Sequence, residues 1–144
     1  MSNNLRAQLR EFEGVVPYAY QDQFGYWTIG VGRLIDKRKG GHLSDEEIDF
    51  LLDNDIKRVA KEVIEALPWV AHMTEARQAV VLGMAFQMGL HGLLGFTGTL
   101  ASMRDEHYAD AAEGMRLSQW AKQTPQRVHK MAYQMESGEW QTVT

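Results

Sequence analysis

Across residues 4–32 the hydrophobic period changes once, and that change constrains the fold more than any other feature. Leu5, Leu9 and Phe12 fall on one face at helical spacing, which predicts a helix over 4–13 with Asn3 or Asn4 as its cap. After Glu13-Gly14 the period becomes two. Val16, Tyr18 and Tyr20 point one way, a polar DQFG turn follows with Asp22 at its tip, and Tyr26-Trp27-Thr28-Ile29 completes a β-hairpin. Arg33-Leu34-Ile35 supplies a short third strand. A small sheet set among helices is therefore expected, an α+β fold that is mainly α.

The remaining chain reads as helix. Ser44-Asp45-Glu46-Glu47 is a capping box, in which the serine accepts from the backbone near Glu47 and the glutamate reaches back. It opens a helix to about residue 66 whose apolar positions Ile48, Leu51, Leu52, Ile56, Val59 and Val63 recur at three and four, and whose length of roughly 30 Å suits it to bridge two lobes. Leu67-Pro68 ends it, and a short helix follows around 69–72. The segment after Thr74 is apolar on nearly every face, as for a helix surrounded by others. Further helices are expected over 90–94, 97–105, 108–116, 119–122 and 126–136, with the Thr124 hydroxyl capping the last one ahead of Pro125. Met73, Met84, Met88, Met103, Met115, Met131 and Met135 read as gap-filling core or near-core residues.

Composition removes several function classes. With 144 residues, 44% of them hydrophobic, the chain can bury one substantial core or a small lobe joined to a larger one. It has no cysteine, so disulfides, thiol catalysis and thiolate-bound metal are all excluded. Its net charge is −4 and neither half carries a basic excess, which argues against nucleic acid as a ligand. The stretch MSNNLRAQLREFEG has no apolar run, so neither a secretory signal nor a stable membrane association is expected. His42, His72, His91, His107 and His129 show no metal-ligand spacing, and no serine lies in a GxSxG elbow; no metal or other cofactor is expected. The loop DKRKGGH at 36–42 lacks the spacing of a phosphate loop and reads as solvated.

The hairpin segment carries the chemistry. Glu13 comes at a helix C-terminus, where the dipole disfavours a second negative charge and favours a proton donor. Asp22 lies in a wet turn. Either acid alone would pass for a surface residue or a turn former. Their spacing is more specific: Glu13, Asp22 and Thr28, set in helix-EG-hairpin-TIGVG, resemble the catalytic segment of the phage-type lysozymes of the T-even bacteriophage family. FQMG at 86–89, GFTGTL at 95–100, WAKQTPQR at 120–127 and SGEW at 137–140 extend the resemblance over nearly the whole chain.

That resemblance implies a lysozyme-like fold. A small hairpin lobe over about 14–50, with its usual insertion reduced, would be joined by a connecting helix over about 44–66 to a helical lobe made of about 67–144 plus the helix 4–13. It implies a peptidoglycan hydrolase cutting the β-1,4 bond between N-acetylmuramic acid and N-acetylglucosamine with inversion. Glu13 would be the acid, Asp22 the carboxylate that orients water, and Thr28 a hydroxyl holding that water. Tyr26, which flanks the turn, and Leu34, Phe86, Gln87, Phe96 and Thr99, at positions matching the cleft of the family, would contact the glycan; for Phe86 and Phe96 a place in the core is equally open. Trp69, Trp120 and Trp140 are assigned to packing. Arg127 matches an arginine near the catalytic glutamate and would oppose the helix-end effect by favouring its ionised form. Arg33 stands where the family often has a histidine paired to an aspartate at the position of Asp55, which implies an Arg33–Asp55 bridge. The expected setting is a monomer made in the host cytoplasm, reaching the periplasmic wall through a holin. Two alternatives compete: a lytic transglycosylase on the same bond, which would not need Asp22 and Thr28, and a non-catalytic wall-binding or virion module, which would have lost catalytic residues.

Overall fold

The computed structural model describes residues 3–141. Two compact units divide the chain, Met1–Leu51 and Leu52–Thr144.

The first unit begins with helix α1 (Asn3–Glu13). Asn3 and Asn4 lie inside this helix, and the position that would cap it falls outside the described residues. Gly14 ends α1 by taking the left-handed conformation (φ 77°) and donating its N–H to the Arg10 carbonyl at 3.0 Å. Strands β1 (Val16–Gln21), β2 (Trp27–Gly30) and β3 (Arg33–Leu34) then form an antiparallel sheet in that order. Val16 pairs with Gly30, yet Tyr20 pairs with Thr28, so β1 carries extra residues between them. Pro17 supplies a reason: it has no N–H to give the ladder. The alternation expected over Val16, Tyr18 and Tyr20 is interrupted there, and Tyr18 is exposed. A 3-10 turn, Lys37–Lys39, leads toward α2 (Asp45–Ala66). The capping box forms in both directions, Glu47 N–H to Ser44 Oγ at 3.2 Å and Ser44 N–H to Glu47 Oε1 at 2.9 Å.

The second unit is helical. Beyond α2 come a 3-10 segment (Pro68–His72), α3 (Glu75–Leu94), α4 (Thr97–Arg104), α5 (Tyr108–Arg116), α6 (Gln119–Gln123) and α7 (Pro125–Ser137). α3 buries Ala76, Val80, Val81, Met84, Ala85 and Leu93, and bends at Gly89, whose φ of 78° a side chain rarely permits. Met84, Met103, Met115 and Met135 are buried in the core, with Met73, Met88 and Met131 packed against it. The two ends of this unit are tied by polar contacts. Arg77 donates to the carbonyls of Met135 and Glu136 at the end of α7, and its guanidinium lies 3.6 Å from the Tyr108 ring centroid. Buried Gln134 donates to the Ala76 carbonyl at 2.7 Å.

Two sequence expectations change here. Thr124 does not cap α7; its hydroxyl turns back to the Trp120 carbonyl at 3.3 Å, closing α6 instead. Pro125 at the first helical position has no N–H to satisfy, which lowers the demand for a cap. Trp140 is not packed away but 60% exposed, whereas Trp120 is buried and Trp69 packs against the core.

Candidate active site

All three proposed catalytic residues belong to the first unit, and the local backbone explains where each is held. Glu13 is the last residue of α1 and is exposed. The turn between β2 and β3 approaches it closely: a Cβ added to Gly32, at φ 65°, would stand 2.8 Å from Glu13 Oε2 and 3.3 Å from its Cβ. Glycine at 32 therefore leaves the space in which the Glu13 carboxylate lies. The motif TIGVG contains this glycine, but nothing in its spacing tells which of its two glycines faces the acid.

Asp22 and Thr28 are joined through one residue, Tyr26. Asp22 Oδ1 accepts from the Phe24 and Tyr26 N–H groups, both at 2.9 Å, and the Asp22 N–H donates to the Tyr26 carbonyl at 2.9 Å. This Asx-type turn fixes one carboxylate oxygen and leaves Oδ2 without a protein donor among the described residues. Thr28 is buried, pairs with Tyr20 and Leu34 across the sheet, and donates its hydroxyl to the same Tyr26 carbonyl at 3.1 Å. With that proton engaged, the Thr28 oxygen offers lone pairs to a further donor.

The charged groups around the sheet are arranged differently from expectation. Arg33 forms a two-pronged ion pair with Glu47 and also donates to the His42 carbonyl at 3.0 Å, while Asp55 pairs with Arg58 at 3.1 Å. These contacts replace the expected Arg33–Asp55 bridge. The capping box aims Glu47 from the first turn of α2, whereas Asp55 is eight residues further on, roughly 12 Å along the axis. Hydrogen bonds from Ser44, with the Arg33 guanidinium adding to them, hold the Glu47 carboxyl below its usual range. The Arg38 guanidinium holds buried Asp36 well below the carboxylate range, helped by the Arg38 and Trp27 backbone N–H groups.

A pH dependence follows. Both carboxyls have lowered folded pKa values, so their stabilisation is complete above their unfolded values of about 3.9 and 4.3 and fades as pH falls through the lower folded ones. No loss from these groups is expected between pH 5 and 8. An acid titration followed by the Trp27 indole resonance checks this, and a loss of sheet structure centred near pH 6 would contradict it.

The expected glycan contacts divide between the units. Tyr26 and Leu34 lie in the first, and the Tyr26 ring is covered by Arg38 and Lys39. In the second, Phe86 is 47% exposed and lines a cavity of about 490 Å³ with Leu52, Leu82, Arg127 and Trp140. Arg127 donates to the Gly83 carbonyl at 3.3 Å. Phe96 packs edge-to-face on Trp120, centroids 6.0 Å apart, so it lies against the core. Thr99 is buried beside Gly114 at a polar hollow of about 440 Å³. Gln87 has a structural duty, its Oε1 accepting the Trp120 indole N–H at 2.9 Å. Gln87→Ala should leave that buried donor unpaired and cost about 1–2 kcal/mol, a fall of a few degrees in Tm. An unchanged melting curve would contradict the duty.

The description Phage lysozyme attaches to a family whose model matches residues 10–135. The chain belongs to the phage lysozyme family. The chain is 28% identical to a Dictyostelium discoideum protein named probable T4-type lysozyme 1, over 96% of each. It is 27% identical to the Pseudomonas phage phiKMV peptidoglycan hydrolase gp36, over 92% of this chain and 15% of that protein. It is 26% identical to the pre-baseplate central spike protein Gp5 of Enterobacteria phage T4, over 89% of this chain and 27% of that protein. As a phage lysozyme it is a cell-wall hydrolase of the glycosidase type, with peptidoglycan as the substrate consistent with its family.

Proposed function

We propose that this phage lysozyme is an N-acetylmuramidase that cleaves the β-1,4 bond between N-acetylmuramic acid and N-acetylglucosamine with inversion. The observation that carries this reading is the shared Tyr26 anchor of Asp22 and Thr28, beside an acid seated against Gly32. A water donating one proton toward Asp22 and the other to the Thr28 oxygen keeps a lone pair for the anomeric carbon. Glu13 protonates the departing glycosidic oxygen, the C1–O bond breaks, the water oxygen bonds to C1, and Asp22 takes the water's proton. Proton exchange with solvent then restores both carboxyls. A lytic transglycosylase closes its own ring and has no use for the Asp22–Thr28 pair, and a silent wall-binding module has no reason to retain all three groups.

The bond is identified by reducing the fragments released from purified peptidoglycan with borohydride and analysing them by mass spectrometry. N-acetylmuramic acid at the new reducing end is expected; N-acetylglucosamine there would overturn the reading. Action as a monomer on the wall, after a holin opens the inner membrane, belongs to the same proposal.

A further inference from the structure

The loop after β3 holds the catalytic hairpin from the side opposite Asp22. β3 stops at Leu34, and the ladder continues for one more bond, from the Ile35 N–H to the Trp27 carbonyl at 2.9 Å. The next acceptor is a side chain. Asp36 Oδ2 receives the Trp27 N–H at 3.4 Å, in the place where a longer strand would offer a carbonyl. Asp36 is only 5% exposed, and Arg38 binds both its oxygens: backbone N–H and Nε to Oδ1 at 2.9 and 3.0 Å, Nη2 to Oδ2 at 2.7 Å. The same guanidinium lies 5.4 Å from the Tyr26 ring centroid, with Lys39 Nζ at 4.5 Å. Gly41 lets the loop fold back, since a Cβ there would stand 2.7 Å from the Leu34 carbonyl oxygen. The segment 26–28 is thus pinned by Asp22 on one side and by Asp36 with Arg38 on the other.

We infer that Asp36, clamped by Arg38, is a positioning residue for the hydrolysis: it fixes the 26–28 backbone so that the Asp22 carboxylate and the Thr28 hydroxyl keep the spacing their shared water requires. This rests on the muramidase reading and deepens it. Asp36 is buried, so it acts on the reaction through the backbone of 26–28. A displacement of 26–28 by a fraction of an ångström changes the water's aim, so the effect falls on kcat more than on KM.

The full-length chain is assayed on soluble peptidoglycan fragments. Asp36→Asn keeps the shape but turns an amide toward donors; kcat is expected to fall about tenfold with KM within about twofold, and the Tyr26 and Thr28 amide resonances to shift while those of α7 stay. Arg38→Gln tests the same clamp at a side chain 69% exposed, where misfolding is not at issue, and is expected to lower kcat about threefold. Arg38→Lys does not restore it, because an ammonium cannot span both carboxylate oxygens. An Arg38→Gln enzyme with wild-type kcat, or an Asp36→Asn enzyme that loses only Tm, overturns the positioning role alone. A wild-type enzyme that releases no fragments overturns the muramidase reading, and this role with it.

Discussion

Glu13→Gln is expected to lower muramidase turnover by on the order of 10²–10⁴-fold while the melting curve stays within about a degree of wild type. An amide has the volume of the carboxyl and no proton to give the leaving oxygen. Glu13 is exposed at the end of α1 and no described hydrogen bond or ion pair uses it, so its replacement removes chemistry without removing a contact. Asp22→Asn should be nearly as severe, and Thr28→Ser milder because the hydroxyl survives. Rates of fragment release from purified peptidoglycan, read beside circular dichroism, decide the matter. Wild-type turnover by the Glu13→Gln protein would remove Glu13 from the mechanism.

Gly32→Ala is the second substitution with a large expected effect. At φ 65° an alanine costs roughly 1–2 kcal/mol in backbone strain. The contact matters more for activity: a Cβ 2.8 Å from Oε2 forces the Glu13 carboxylate, the mobile end of the pair, out of its position. Loss of proton-transfer geometry should lower kcat at least about tenfold. Gly30→Ala separates the two effects, because Gly30 has a similar φ of 70° and open space around the added Cβ. Both variants should melt earlier, and Gly32→Ala should lose more activity than Gly30→Ala. Equal losses would mean that strain alone is responsible.

How far the sequence carried depended on the range of each interaction. The helices were legible because their signals are local: the 3.6-residue period along the chain and the Ser44–Glu47 box at the start of α2. The hairpin and its turn were legible for the same reason. Pro17 lies in plain view, yet the bulge it accompanies depends on the register against Gly30 and Thr28, which no local pattern contains. Arg33 offers a similar lesson. Its partner is chosen by where the start of α2 places Glu47, and the resemblance suggested Asp55 through the chemistry of a histidine that this chain does not have. Thr124 had the residue type and position of a cap, but its hydroxyl donates back to the Trp120 carbonyl and accepts from no α7 N–H. At the site itself, the spacing of Glu13, Asp22 and Thr28 is what proposes them. Gly32 and Asp36 act through a close approach and a substituted ladder bond, both set by tertiary geometry.

The assignment of Asp22 and Thr28 to a water, and of Glu13 to the proton, is tested most directly by digesting peptidoglycan in ¹⁸O-enriched water with the wild-type and Glu13→Gln proteins. The expected result is one solvent oxygen on each new reducing-end N-acetylmuramic acid from the wild type, and almost no fragments from the variant. Fragments ending in unlabelled 1,6-anhydro sugars, or labelled fragments released at the wild-type rate by Glu13→Gln, would contradict it.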